Sequence, residues 1–346
     1  MRSARRLARS VEKLIRMGIC RPGYCEPPDL PEVSRADVAK MFAECAERWD
    51  AISVDTSDMD PTQMAAYNFA TSWAGKSEAV CNASKDRPGP LRLTLLGTAE
   101  AGKTRVISAI VQRCRDIFGS RQSVVAAAHT GVAASNVGCG GRTLAGLFRT
   151  MGETIDQLKG QQLRDLKREL GECRILIIDE ISMVGSQQLA AVSERLRQRT
   201  GLKPSFGGVG VVFSGDFAQL PPVGQRSLIY NPKPGRVGAM PSAPSRLDEA
   251  GRRRFAEFKS CVRLRVIYRQ GEPCPFKEST LRLRDGAMTI EDYNLWRSHD
   301  ILDPDRCDSD ILRMSERILW LCAENADAGK RNGEKLGRWL RKLAPQ

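Results

Sequence analysis

The alternation of short apolar runs with helical stretches is the feature that most limits what this chain can fold into. Longer segments with helical spacing, such as Ser186–Arg199, separate the runs. Strands that are buried on both faces are apolar along their whole length, so the pattern predicts an α/β fold with a parallel sheet. The predicted strands are Leu91–Leu96, Val124–Ala128, Ile175–Ile178 and Val209–Phe213.

The net charge and the cysteine content indicate which partners the protein could bind and in which cellular compartment it could lie. The 346 residues suffice for roughly two domains, and 54 Lys and Arg against 41 Asp and Glu give a net charge of +13. Such an excess favours polyanionic partners. No run of about 18 uncharged apolar residues occurs, which argues against a membrane partner. The 11 cysteines lack zinc-finger spacing, a pattern typical of reduced thiols in an intracellular protein.

Residues 1–60 are predicted to be a basic N-terminal segment and a linker. Residues 1–17 hold five arginines and one lysine against one glutamate, with apolar residues on one helical face. Both an organelle transit peptide and a solvated basic helix fit this composition. Four prolines in residues 21–34 indicate the linker, and four more in residues 231–246 indicate an irregular connection.

A glycine-rich segment follows the first predicted strand and precedes a predicted helix. It fits the phosphate-loop pattern G-x-x-x-x-G-K-[ST], in which backbone N–H groups face phosphate oxygens at a helix N-terminus. The lysine can reach the β- and γ-phosphates, and the hydroxyl that follows can ligate Mg²⁺. The predicted ATP-binding residues are Gly97, Thr98, Ala99, Glu100, Ala101, Gly102, Lys103 and Thr104.

Two acids, Asp179 and Glu180, follow the third predicted strand. In open α/β folds ligands bind at the carboxyl edge of the sheet, where this pair should lie. We expect Asp179 to hold Mg²⁺ together with Thr104, and Glu180 to orient or deprotonate the attacking water.

The segment Gly215–Val223 (GDFAQLPPV), after such a loop and such an acid pair, resembles motif III of superfamily 1B DNA helicases. The resemblance is to the petite-integration-frequency (PIF) type, which is RecD-like, and it spans about residues 61–335. Residues 128–138, with Thr143, Leu144 and Phe148, are similar to the family's motif Ia. Residues 268–270 and the helix after them, with Phe276, are similar to motif IV.

The resemblance implies further roles for named residues. Gln63 would read adenine, Gln219 would sense the γ-phosphate, and Arg269 would reach that phosphate from a second domain. The alternative for Arg269 is a surface arginine that is indifferent to phosphate, in a basic stretch with Arg252, Arg253, Arg254, Arg263 and Arg265. Motif Ia implies single-stranded DNA contacts at Thr130, Asn136 and Phe148.

The resemblance also implies a RecA-like P-loop NTPase fold and a domain plan. A RecA-like ATPase domain would cover residues 61–230, a connection and basic helix 231–260, and a partial second helicase domain 261–346. Glu100 stands where the family usually has glycine, and Ala145 and Gly146 replace its usual histidine and serine. No match to motifs V and VI follows residue 327, so we expect the second RecA-like domain to be incomplete.

The implied activity is ATP-dependent DNA unwinding in the 5′-to-3′ direction, in DNA repair, recombination and telomere maintenance. The implied cofactors are ATP and Mg²⁺, and the partners are single-stranded DNA and duplex junctions, bound by a monomer. We expect a nuclear protein, with the mitochondrion as the alternative suggested by the arginine-rich N-terminus. Two other readings stay open: a helicase fragment that binds ATP and DNA without unwinding, and a basic nucleic-acid-binding module with a silent nucleotide site.

Overall fold

The computed structural model describes residues 54–81, 88–98, 101–137, 140–150, 155–229, 245–266 and 274–299, and three short pieces between 326 and 334. The chain forms two compact units, one of residues 35–274 and one of residues 1–34 with 275–346. Several predictions fall outside the described residues. They are the basic N-terminal helix, the linker 21–34, the connection 231–244, and the residues Ala99, Glu100 and Arg269.

The unit of residues 35–274 contains a six-stranded sheet in which every strand pairing is parallel. The strand order is β3-β2-β4-β5-β1-β6. An α/β fold with a parallel sheet was predicted, and the structure confirms it. The strands are β1 (Arg92–Leu96), β2 (Val124–Ala128), β3 (Arg142–Thr143), β4 (Ile175–Asp179), β5 (Gly210–Gly215) and β6 (Ser260–Arg263).

Helices connect these strands, as parallel pairing requires. Short 3-10 turns precede β2, follow β4 and precede β5. The helices of this unit are α1 (Pro61–Cys81), α2 (Lys103–Phe118), α3 (Gly131–Val137), α4 (Leu144–Phe148), α5 (Gly160–Leu170), α6 (Ser186–Thr200) and α7 (Arg246–Phe255).

Both faces of the sheet are buried, which explains why its central strands are apolar along their length. Along β4, Ile175 and Ile177 belong to a core cluster that includes residues of α1 and α2. The alternate residues Leu176 and Ile178 belong to a second cluster that includes residues of α4, α5 and α6. A residue in either cluster is therefore shielded by helices above or below the sheet.

The sheet includes a strand beyond residue 230, where the predicted ATPase domain ends. β6 pairs with β1, and Leu93 lies opposite Ser260. α7 packs so closely on α6 that a Cβ atom on Gly251 would lie 1.8 Å from the Ser186 carbonyl oxygen. The predicted boundary between residues 260 and 261 therefore falls inside a strand of the first unit. The half-exposed edge strand β6 has no continuous apolar run that would have signalled it.

The described part of the other unit includes two helices, α8 (Pro275–Asp285) and α9 (Ile290–Arg297). Arg282 of α8 donates two hydrogen bonds to the Asp292 carboxylate of α9, at 2.6 and 2.7 Å. The rings of Phe276 and Trp296 lie 4.9 Å apart. Across both units, no helix among the described residues has the length and apolar character needed to cross a membrane.

Candidate nucleotide-binding site

The glycine-rich segment turns tightly between β1 and α2. Gly102, the residue before α2, has φ 78°, a left-handed conformation that favours glycine. At the start of the loop, the Gly97 N–H donates to the Gly215 carbonyl at the end of β5, at 3.2 Å. The loop is therefore attached to the strand that precedes the predicted motif III. Because Gly102 has no side chain to cap the N-terminus of α2, the first N–H groups of this helix suit an anion.

Lys103 reaches back across the loop. Its Nζ donates to the carbonyl oxygens of Gly97 and Thr98, both at 2.9 Å. Phosphate oxygens bear negative charge and accept stronger hydrogen bonds from an ammonium group than neutral carbonyls do. A bound phosphate can therefore compete for this ammonium. Thr104, the predicted Mg²⁺ ligand, is exposed in the first turn of α2.

Gln63 is fully buried against the same loop. Its Nε2 donates to the Ala101 carbonyl at 3.2 Å, and its Oε1 accepts from the Asp60 N–H at 3.3 Å. The amide thus joins the start of α1 to the phosphate loop. Contact between Gln63 and adenine stays a prediction, and in this geometry the amide holds the loop in place.

Asp179 lies at the end of β4 and is only 8% exposed. Its Oδ1 is buried and has no hydrogen-bond partner among the described residues. Burial raises the pKa of this carboxyl, while the Ser214 hydroxyl and the Lys103 ammonium oppose the rise. The lysine of the loop and the first acid of the pair therefore belong to one electrostatic site.

Glu180 adopts an unusual backbone conformation directly after this strand. Its φ of 51° and ψ of 48° place a non-glycine residue in the left-handed region, a strain that clusters at functional sites. Burial raises the pKa of the half-buried Glu180, and the neighbouring charges of Asp179 and Asp216 raise it further. A carboxyl with a raised pKa is suited to accept a proton from water.

Gly215 makes room for this turn. Its φ is 152°, and a Cβ atom there would lie 2.9 Å from the Ile181 nitrogen. Both the conformation and the close approach to the residue after Glu180 require glycine.

The donor set fits a divalent cation. A buried carboxylate oxygen without a hydrogen-bond donor is costly unless a cation or water satisfies it. Mg²⁺ prefers oxygen ligands and keeps several waters beside one or two protein ligands and substrate phosphates. Asp179, with Thr104, would hold it here.

Gln219 lies in the turn that follows β5, where its side chain is exposed. The turn is organised by the buried Asp216, whose carbonyl accepts from the Gln219 N–H at 3.0 Å and whose carboxylate accepts from the Ala218 N–H at 3.1 Å. Since β5 lies between β4 and β1, this turn shares a sheet edge with the acid pair and the phosphate loop. Sensing of the γ-phosphate by Gln219 stays a prediction.

The three predicted DNA-contacting residues have different environments. The Thr130 hydroxyl accepts from the Ala133 N–H at 3.2 Å, at the start of α3, and Asn136 is exposed on that helix. The structure contradicts the prediction for Phe148, whose side chain is fully buried in the second core cluster. An aromatic ring enclosed by Leu and Val side chains has no face left on which a base could stack.

A parallel sheet with a glycine-rich loop after one strand and a buried acid pair after another defines a phosphate-loop nucleotide-binding domain. Comparison of the sequence with protein families indicates which phosphate-loop proteins the chain is similar to. Residues 78–231 match the family model of the PIF1-like helicases.

Individual relatives agree with this family. The ATP-dependent DNA helicase RRM3 of Saccharomyces cerevisiae is 36% identical over 135 residues, 38% of this chain and 18% of that protein. The ATP-dependent DNA helicase PIF5 of Trypanosoma brucei brucei is 29% identical over 283 residues, 70% of this chain and 30% of that protein. The chain therefore spans less than a third of either relative.

A solved structure supports the fold. A double mutant of Pif1 helicase from Bacteroides superposes with a TM-score of 0.51 at 23% identity, over 81% of this chain and 57% of that one. The agreement concerns the architecture of the sheet and its helices.

Proposed function

We propose that this chain is an ATP-dependent DNA helicase domain that couples ATP hydrolysis to movement along single-stranded DNA and to duplex unwinding. The observation that supports it most is the acid pair. Asp179 has a buried oxygen without a donor among the described residues, and the pKa of the next residue, Glu180, is raised. Both lie within the electrostatic reach of Lys103, so binding and hydrolysis groups share one site.

Each group has a distinct task in this proposal. The Lys103 ammonium and the N-terminal N–H groups of α2 bind the phosphates. Glu180 orients the attacking water and accepts its proton, which a raised pKa favours. Asp179 and Thr104 would hold Mg²⁺, which would neutralise negative charge on the phosphates. Gln219 responds to the presence of the γ-phosphate.

The finer features of the proposal rest on the resemblance of the sequence motifs to this family of helicases. We propose 5′-to-3′ polarity, a monomer acting on single-stranded DNA and duplex junctions, and work in DNA repair, recombination and telomere maintenance. We place the protein in the nucleus, with the mitochondrion as the alternative. The net charge of +13 supports a polyanionic partner.

ATP hydrolysis by the purified chain, measured with and without a single-stranded oligonucleotide, tests the proposal. We expect hydrolysis that the oligonucleotide stimulates. Glu180→Gln is the control, because it keeps the phosphate-binding groups and removes the proton acceptor.

Other outcomes select the other readings. Nucleotide binding without hydrolysis would indicate a fragment that binds ATP and DNA only. Salt-sensitive DNA affinity that is indifferent to ATP would indicate a nucleic-acid-binding module with a silent nucleotide site.

A further inference from the structure

The N-terminus of α6 is capped by a distant segment of the chain. The residue before the helix is Gly185, which has no side chain to serve as a cap. In its place, the Ser186 N–H donates to the Arg226 carbonyl at 2.9 Å, and the Gln188 N–H donates to Gln225 Oε1 at 3.1 Å. The first turn of a helix has N–H groups without intrahelical partners, so residues 225–226 satisfy two of them.

Gly185 permits this contact by its lack of a side chain. A Cβ atom at this position would lie 2.4 Å from the Cβ atom of Gln225 and 2.1 Å from its Oε1. Gly185 also forms an antiparallel bridge with Ser227. The helix that follows the acid pair is thus tied to the segment that follows Gln219.

The side chain of Gln188 faces a different loop. Its Oε1 accepts from His129 Nδ1 at 3.0 Å, and its Nε2 donates to Thr150 Oγ1 at 3.4 Å. Gln188 is 7% exposed, so the loss of either partner would leave a buried polar atom unsatisfied. His129 is the residue before Thr130, the predicted DNA contact.

The segment after β5 is held near its end and is exposed in its middle. Leu220 is 69% exposed and Val223 is 87% exposed. Arg226, by contrast, is buried with its Nε 3.8 Å from Asp248 Oδ2. Because the exposed part has little packing of its own, its position depends on the contacts made by residues 225–228.

We infer that Gln188 is a positioning residue that links the DNA-contacting loop to the γ-phosphate-sensing turn. The inference rests on the proposed function. DNA bound at Thr130 displaces His129, and Gln188 passes that displacement through Gln225 to the turn that bears Gln219. Buried hydrogen bonds suit this task, because a displaced partner leaves a buried polar atom unsatisfied unless the neighbouring groups move with it.

The test compares the stimulation of ATP hydrolysis by oligo(dT) in the full chain and its variants. Gln188→Ala removes the hydrogen bonds to His129 and Thr150 but keeps the backbone N–H that donates to Gln225 Oε1. We expect basal hydrolysis to stay within about twofold and the stimulation factor to fall about three- to tenfold, the size of effect that one neutral hydrogen bond has. The matched control is Gln187→Ala, in the same helical turn, whose side chain donates to Asp248 of α7.

A double-mutant cycle shows whether Gln188 and Gln225 act on the stimulation of ATP hydrolysis in series or independently. Gln225→Ala removes the other half of the path, and a variant with both substitutions should lose no more stimulation than either single variant. Losses that multiply, or a Gln188→Ala stimulation factor equal to that of Gln187→Ala, would overturn the inference while leaving the proposed function intact.

Hydrogen exchange gives a readout that does not need hydrolysis. On addition of oligo(dT), we expect altered exchange across residues 216–228 in the wild type and in Gln187→Ala, and none in Gln188→Ala. If the wild type hydrolyses no ATP, the proposed enzyme function fails, and this exchange experiment alone decides the inference. An unchanged exchange pattern in the wild type, with DNA bound, overturns it.

Discussion

Asp179→Asn should make the nucleotide-free protein more stable while abolishing its hydrolysis of ATP. The wild type holds a carboxyl whose pKa is raised by burial, and one of its oxygens has no hydrogen-bond partner among the described residues. Asparagine is uncharged and nearly isosteric, and its amide can donate to the neighbouring Ser214 hydroxyl. The substitution therefore removes a buried charge without opening a cavity.

The size of the effect follows from the cost of the unsatisfied group. An unpaired buried acceptor costs about 1–3 kcal/mol, and loss of the attraction between Asp179 and Lys103 offsets part of the gain. We therefore expect about 1–2 kcal/mol of added stability. For a domain of this size, about 1 kcal/mol shifts Tm by about 2–4 °C, so Tm should rise by about 2–8 °C.

The pH dependence has a definite sign. The pKa of Asp179 is raised in the folded chain, so the protonated form stabilises the fold at low pH, and that stability is lost as pH rises through the folded-state pKa. The wild type and the variant should therefore differ most near neutral pH. They should converge as pH falls toward about 4, the ordinary range of an aspartate.

Thermal denaturation followed by circular dichroism, without nucleotide or Mg²⁺, measures the difference at each pH. Asp165→Asn is the control, because hydrogen bonds from Gln161 and Arg149 and the charge of Arg168 lower the pKa of Asp165. That control should leave Tm unchanged or lower it at neutral pH. An Asp179→Asn variant with the wild-type Tm or a lower one would refute the argument that this carboxylate is strained by burial.

Three further substitutions test other parts of the site. Lys103→Ala should weaken binding of a fluorescent ATP analogue at least tenfold, about 1.4 kcal/mol, with an unchanged circular dichroism spectrum; unaltered affinity would mean that the loop is not a phosphate site. Phe148→Ala should lower the free energy of unfolding, measured by urea denaturation, by about 3–5 kcal/mol. A variant of unchanged stability that binds DNA more weakly would instead show that Phe148 contacts DNA. Gly215→Ala should lower stability by about 1–3 kcal/mol and slow ATP hydrolysis, because the new methyl group meets the Ile181 nitrogen and shifts Glu180; wild-type turnover would show that this turn tolerates a side chain.

The central strands were predictable because burial on both faces leaves a continuous apolar run. β2 begins and ends where predicted, and β4 extends only one residue further, to Asp179. The edge strands β3 and β6 were missed, since an edge strand needs few apolar residues and β6 alternates between half-buried and exposed positions. The pattern of apolar residues in a sequence reveals which segments are buried. The edge strands are held mainly by backbone hydrogen bonds to their neighbours, which leave no such pattern.

The candidate site was predictable where backbone geometry demands particular residue types. Gly102 and Lys103 are recognisable from their spacing alone. Phe148 was misassigned because an aromatic residue near a DNA motif has the same sequence signal whether it stacks on a base or fills a core. The contacts of Gln188 with His129 and Gln225 were missed, because they join loops that follow three different strands and have no local spacing.

The strand order also determines when the phosphate loop can form during synthesis. β1 is the first strand to be made, but its two neighbours, β5 and β6, are the last. Leu96 pairs with Arg263, and at about 5–20 residues per second a ribosome needs on the order of ten to thirty seconds to make the intervening chain.

Until β5 is made, β1 has both edges open, and the loop after it lacks the Gly215 carbonyl to which Gly97 donates. β2, β3 and β4 are neighbours in the sheet and can pair before β1 does. A nascent chain can therefore form the part of the sheet that carries the acid pair before its phosphate loop is attached, and the loop gains its contact with Gly215 only when β5 arrives. While β1 is unpaired, its apolar residues are exposed, so β1 is also the segment that a chaperone would bind.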